Sequence, residues 1–391
     1  MTAEAPDQPP RSLYLHLPFC ARRCPYCDFA IVVGDELLQD RYLDALLAEL
    51  ARMSASGAAP LPLQTLYLGG GTPSLLGPSR LGRLLAAVEA GFGLETGCEV
   101  TMEANPEEVT PAAAAAWADL GVTRVSLGVQ SLDDDTLLWL GRGHDSRTAE
   151  SAVATLRESA IPALSCDLIY AIPVQPTATF ARGLDRLLSH GPDHISCYEL
   201  TVEPGTQLQR WVAGGAVPAP DEEDFLAQGK LARDALARAG LHRYEVSNYS
   251  RPGSESRHNL NYWTGAPYLA AGCGAHGFLG RSAAAALGIE GAGERVRYWH
   301  LRAAATYVRS VAAGEMGLRG REWLTGSELA LERLALGLRL TCGVELSTPG
   351  QLEAGRRLAV QGLLLLEGRR VQATPEGMDV LDRLTLELAA A

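Results

Sequence analysis

The segment YLHLPFCARRCPYCDF, residues 14–29, decides how the rest of the chain is read. It opens as a strand, with Tyr14 and His16 sharing one face. The strand runs into a loop carrying Cys20, Cys24 and Cys27 in the spacing C-x3-C-x2-C. Three thiolates so placed can ligate three irons of a [4Fe–4S] cube and leave the fourth iron open, where an amino and a carboxylate group can chelate. Three unrelated core cysteines would not crowd together in this way. A zinc site would need a fourth ligand, and the near candidate, His16, sits on the strand rather than in the loop.

Outward from this strand, the pattern alternates between two kinds of run. Strand-like runs fall at residues 12–19, 65–70, 99–104, 124–130, 164–170 and 194–200. Amphipathic, helix-like stretches fall between them at 36–53, 79–90, 111–120, 147–159 and 179–188. Alternation of this kind predicts a parallel sheet with crossover helices, and six βα units in about 190 residues predict an α/β fold built on an incomplete (β/α)6 barrel. Barrel lumens are usually filled by Val, Ile and Leu. Here Thr101, Glu103 and Asn105 share one face, as do Ser126, Gly128 and Gln130, and as do Ser165 and Asp167. Polar faces in register on several strands predict a ligand cleft rather than a closed core.

The expected organisation is a disordered lead-in over 1–11, a partial barrel over 12–205, a barrel extension over 206–324 and a C-terminal domain over 325–391. The extension shows a helix at 221–239, a short strand around 244–246 and a glycine-rich stretch to 293. The C-terminal domain shows helices at 326–338 and 348–361, a β-like 363–372 and a last helix from 375, a winged-helix-like α+β order. Its seven arginines against nine acidic residues make a DNA-binding wing improbable, and a lid or docking module is the expectation.

Composition agrees. Of 391 residues 47% are hydrophobic and 20% charged, and the net charge of −12 excludes a basic nucleic-acid stripe. The beginning of the chain has no apolar signal segment, and no run is long enough to span a bilayer. Together with unpaired-looking cysteine spacing, this predicts a cytoplasmic protein. Outside the loop, Cys98, Cys166, Cys197 and Cys342 are expected as buried small hydrophobes, and Cys273 is open.

At this point a resemblance enters. C-x3-C-x2-C after a first barrel strand is similar to the signature of the radical S-adenosylmethionine (SAM) superfamily. The glycine loop Gly69–Thr72, then Glu103 and Asn105, Gln130, Arg142 and Asp167 follow in the order seen in its oxygen-independent coproporphyrinogen III oxidase branch. The resemblance implies that Tyr14, Gly70 and Glu103 bind a cluster-bound SAM, and that Tyr26, Gly71, Thr72, Gln130, Arg142 and Asp167 surround a second SAM. For Arg142 a helix-capping role is the alternative.

Two departures matter. The oxidases carry a fourth cysteine where this chain has Phe29, and an N-terminal extension where only 13 residues precede Tyr14. Residues 257–263, RHNLNYW, instead resemble the HNxxYW motif of the heme chaperone branch. That resemblance implies heme bound by His258, Asn259, Tyr262 and Trp263, near the open barrel mouth, with His276 as alternative axial ligand. It also implies delivery of heme to apo-proteins such as membrane respiratory enzymes, and a reductant such as flavodoxin or ferredoxin. The alternatives are a coproporphyrinogen III oxidase, which Phe29 disfavours, and a radical SAM enzyme acting on another substrate. No catalytic residue is singled out.

Overall fold

The structure is a computed structural model describing residues 7–391. Six strands stand where the alternation predicts them: β1 (Ser12–Leu17), β2 (Leu63–Gly70), β3 (Leu94–Ala104), β4 (Arg124–Gln130), β5 (Ala163–Tyr170) and β6 (His194–Glu199). They lie side by side in chain order and all parallel. The register lines up Leu15, Leu68, Met102, Val125 and Leu164 in one row. That row is buried and belongs to the main core, into which the crossover helices also pack. Burying each such side chain stabilises by roughly 1.5–3 kcal/mol, so a one-residue slip of any strand would be costly. The next row holds Glu103, Ser126, Ser165 and His194, and it faces the lumen.

The helices start where short polar side chains can cap them. Asp35 accepts from the Leu38 N–H at the head of Glu36–Ala55, Thr110 from Ala113 at Pro111–Asp119, and Asp145 from Thr148 at Ser146–Glu158.

The sheet grows at both edges. β7 (Asn248–Ser250) pairs antiparallel with β6 and is followed outward by His242–Arg243, while β8 (Leu269–Ala271) pairs parallel with β1. The strand expected around 244–246 is in fact the turn between His242–Arg243 and β7. Glu245 is drawn aside there, bridging Leu340 through its backbone and accepting the Ser247 N–H on its carboxylate. The expected glycine-rich stretch also contains more structure than its composition suggests. It holds the helix Arg257–Thr264, β8, and β9 (His276–Gly280), which joins β10 (Arg295–His300) and β11 (Leu318–Leu324) in an antiparallel sheet. Gly272 and Gly274, at φ 98° and 72°, make the turn from β8 to β9.

The C-terminal region follows the expected winged-helix-like order. It has helices Gly326–Arg339 and Pro349–Val360, a small sheet ordered 344–345, 370–373, 364–367, and closing helices Pro375–Met378 and Leu381–Ala389. Leu334, Leu338, Leu358, Val371 and Leu384 give it a core of its own. Cys342 is exposed rather than buried, because it lies in the turn after the first of these helices. Of the expected lead-in, residues 1–6 lie outside the described residues. Residues 7–11 are held down: Asp7 accepts from Ser282, Pro10 is buried, and Arg11 pairs with Glu95 at 2.8 Å. Among the described residues no helix is long and apolar enough to cross a membrane.

Candidate functional site

The C-terminal ends of β1–β6 surround a cavity of about 390 Å³. Cys20, Cys24 and Cys27 line it, and so do Tyr26, Gly70, Gly71, Thr72, Glu103, Gln130, Arg142 and Asp167. The structure thus brings eleven of the expected cluster and SAM residues to one space. Tyr14 is the exception. Its hydroxyl meets His16 Nδ1 at 3.1 Å, and its ring lines a second cavity instead.

The three cysteines are free, half-buried thiols. Burial pushes the Cys20 thiol up to about 11, and the nearby Cys27 and Cys24 add to that. Burial also raises the Cys27 thiol, so a metal cation between the loop's sulfurs would relieve the cost of thiolate charge there. Among the described residues no group of three His, Cys, Asp or Glu side chains converges as a single-metal site requires. Thiolates on three different irons of a cube need not converge on one point. His16 is not a spare zinc ligand: its Nε2 meets the Ala30 carbonyl oxygen at 2.8 Å, its Nδ1 faces Tyr14, and burial lowers its pKa to about 4.

Polar contacts tie the cysteine loop to the barrel. Thr72 donates to Cys20 Sγ at 3.7 Å and accepts from Asn105 Nδ2 at 3.0 Å. Arg142 donates to Asn105 Oδ1, to the Gly128 carbonyl at 3.0 Å and to Cys24 Sγ at 3.6 Å. Burial opposes the guanidinium charge, but Tyr26, Cys24 and Glu107 outweigh it and hold Arg142 protonated. It is therefore a lumen residue, not a helix cap, and among the described residues its Nε has no partner.

The glycine loop is pinned by backbone. Gly71 N–H donates to the Leu17 carbonyl at 2.8 Å and Thr72 N–H to that of Phe19 at 2.7 Å. A Cβ on Gly71 would lie 2.7 Å from backbone atoms of Pro18 and Phe19, and one on Gly70, at φ 113°, 2.5 Å from the His16 ring. Close approach to the cysteine loop, as well as to any ligand, demands these glycines.

Two acids face the lumen. Glu103 accepts from the Gly70 N–H and the Tyr67 hydroxyl, both at 2.9 Å, yet burial raises its pKa to about 7. Asp167 accepts from Ser126 at 3.1 Å, and burial raises its pKa to about 6. Gln130, at φ 63°, bends off the end of β4, a strained conformation of the kind found at binding sites. Chemically, the cavity offers thiols, backbone donors and ionisable carboxylates, a set that suits a metal-chelated, amino-acid-bearing cation.

The heme-motif residues are scattered. The helix Arg257–Thr264 lies at the N-terminal end of the strands, not at the open mouth. The Glu99 carboxylate, at 3.0 and 2.9 Å, caps its Arg257 and His258 N–H groups, and Asn261 reaches Ser12 and Thr65. Asn259 lines the first cavity, while Tyr262 and Trp263 line the second. His258 is fully buried between them. Its Nδ1 meets Thr65 Oγ1 and its Nε2 meets Tyr262 Oη, both at 2.8 Å, and burial lowers its pKa to about 3. Freeing either nitrogen for iron would break a buried hydrogen bond, at about 1–3 kcal/mol.

The second cavity, about 530 Å³, lies across Phe29, Gly70 and Glu103, which line both. Phe29, where a fourth cysteine would stand, is 59% exposed. Two contributors escaped the sequence reading. Tyr67 could have been found by alternation with Gly69 on the lumen face; Glu99 could not, because only the fold brings it to a helix 158 residues away.

A three-cysteine loop after the first strand of a partial parallel barrel, above an acid-bearing lumen and a pinned glycine loop, is the arrangement that a radical SAM protein would need. The comparisons with known proteins agree. A family model described as "Radical SAM superfamily" matches residues 14–187. A protein named "Heme chaperone HemW" from Mycobacterium tuberculosis is 38% identical, covering 99% of this chain and 96% of that one. One of the same name from Synechocystis is 36% identical over 90% of this chain and 84% of its own. The Bos taurus "Radical S-adenosyl methionine domain-containing protein 1, mitochondrial" is 36% identical, covering 98% and 88%. The solved structure of Escherichia coli coproporphyrinogen III oxidase (HemN) superposes with a TM-score of 0.82 at 21% identity over 99% of this chain and 91% of that one, a likeness of fold. The chain belongs to the radical SAM superfamily and, within it, to the family of these HemW proteins.

Proposed function

We propose that this protein is a heme chaperone, binding heme and passing it to apo-proteins such as respiratory enzymes. In this reading Cys20, Cys24 and Cys27 hold a [4Fe–4S] cluster, and the open iron supplies a chelation point for SAM. Glu103, Gly70 and the Arg142–Asn105–Thr72 chain orient SAM and hold the cysteine loop against it. Gln130, Asp167, Tyr26 and Gly71 stand where a second SAM would lie. A small electron carrier such as flavodoxin or ferredoxin would reduce the cluster. The free cysteines suit a reducing compartment, the cytoplasm.

The observation that carries the reading is a second, aromatic-lined cavity directly across Gly70 and Glu103 from the cysteine cavity. Its aromatic walls suit a flat macrocycle. The names of the relatives support the same choice, as does Phe29 in place of a fourth cysteine.

The test is anaerobic reconstitution, heme titration, and then transfer to an apo-hemoprotein followed by its spectrum. Stoichiometric heme binding and transfer support the chaperone. Formation of protoporphyrinogen from coproporphyrinogen III, with SAM and a reductant, would move the protein to the oxidases instead.

A further inference from the structure

Resting on the heme reading above, we propose that the heme seat is the cavity between β1, β9 and the helix Gly326–Arg339, with His276 as axial ligand and Arg302 as partner for a heme carboxylate. His258 is a positioning residue that fixes the wall.

The shape and chemistry of the cavity carry this. A heme presents two apolar faces, an iron that takes an axial donor, and two carboxylates on one edge. Tyr262, Trp263, Tyr268, Phe278 and Leu336 supply flat or apolar surface around the space. His276 opens the strand β9 at its rim and is exposed. Its ring stacks on Trp299, centroids 6.1 Å apart and planes 20° from parallel, so it is oriented without being sealed. Among the described residues neither of its ring nitrogens has a hydrogen-bond partner. An imidazole held in place with both nitrogens open is ready to ligate iron; one with both nitrogens engaged, as His258 has, is not.

The cationic edge is formed by two arginines. Arg297 is already committed to Glu322 at 3.3 Å and Glu332 at 2.6 Å. Among the described residues Arg302 donates only to the backbone carbonyl of Asp28, and its guanidinium keeps donors for a carboxylate. Among the described residues the indole N–H of Trp263 also lacks a partner, although Arg339 lies 4.4 Å above its ring. Beside the acids Asp28, Glu103 and Glu332, the cavity wall thus keeps a guanidinium with donors to spare and an unpaired indole N–H among the described residues.

His258 contributes by holding Tyr262. Its bonds to Thr65 and Tyr262 fix the helix, and Tyr262 packs edge-on to Tyr268 at 4.7 Å. The motif thus shapes the cavity without touching the iron.

The experiment is a spectroscopic heme titration of the full-length wild type and of His276→Gly, His258→Gln and Arg302→Ala, each checked for fold by circular dichroism. The expected result is a displaced Soret band and about tenfold weaker binding for His276→Gly, with the wild-type spectrum restored by added imidazole. Arg302→Ala should weaken binding without moving the band. An unchanged band in His276→Gly overturns the ligand assignment whatever the His258 variant does. If the wild type itself binds heme no better than an unrelated acidic protein, the chaperone reading falls and this inference with it.

Discussion

Two cavities meet at Gly70 and Glu103, and they are built on opposite principles. The cysteine cavity is a tethered space. Thr72, Asn105, Arg142 and the two acids are bound to one another, to neighbouring hydroxyls or to backbone, so most of their polar atoms are placed before any ligand arrives. The second cavity is a loose one, walled by rings that pack without hydrogen-bonding into the space and by an imidazole with nothing bonded to it. Preorganised dipoles suit a small charged molecule whose every group must be oriented. Flat apolar walls suit a large planar ligand that enters and leaves, since affinity from hydrophobic contact tolerates sliding.

The sharpest way to break this contrast is at the cysteines. Alanine at Cys20, Cys24 or Cys27 should abolish cluster iron, from about four per chain to near zero, by iron and sulfide analysis of reconstituted protein. Heme titration of the same variants should change far less. Equal loss at both cavities would mean that they are one site.

A smaller effect is expected at the seam. Gly71→Ala drives a Cβ into backbone at 2.7 Å, where no side chain can yield. It should cost roughly 1–3 kcal/mol and erase the change that SAM makes in the reduced cluster's EPR signal. A wild-type SAM response would show that the cysteine loop gives way, against the rigid picture drawn for it.

His258→Ala should destabilise by about 1–3 kcal/mol in urea unfolding, because the Thr65 and Tyr262 hydroxyls lose a buried partner. His276→Ala, at an exposed ring, should stay within about 0.5 kcal/mol of wild type. The pair separates a histidine that holds the fold from one that waits for a ligand, and a reversal of the two values would undo the distinction.

A last effect is in pH dependence. His258 has a pKa lowered to about 3 in the folded state, so the unfolded chain binds its proton first. Its contribution is present above pH 6.5 and is lost, at about 1.4 kcal/mol per pH unit, as pH falls towards 3. Glu103 works in the opposite sense. Its folded pKa of about 7 exceeds the ordinary 4.5, so the protein is stabilised by its proton at low pH and loses that stability as pH rises through 7. Glu103→Gln should therefore flatten the unfolding profile between pH 4.5 and 7 and leave the acid limb unchanged. An unaltered profile would place the Glu103 carboxyl in solvent.

Much of this was legible in the chain itself. The six barrel strands, the polar lumen face and the cysteine loop follow from period-two alternation and tight spacing, which are local and survive any tertiary arrangement. Eleven of the twelve expected cluster and SAM residues meet in one cavity largely for that reason: most sit on a lumen-facing strand or in the loop that follows one, and the βα order dictates the direction of those strands. What local pattern could not decide was the meaning of the segment 257–263. Its histidine, amide and aromatics sit within one turn or two of a helix, but side chains three and four apart point away from those beside them. Only the packing of that helix under the barrel sends Asn259 to one cavity, Tyr262 and Trp263 to the other, and His258 into a sealed contact with Thr65, 193 residues earlier. Burial and hydrogen-bond satisfaction are properties of the folded whole, and they separate an imidazole that braces a wall from one left open at the rim.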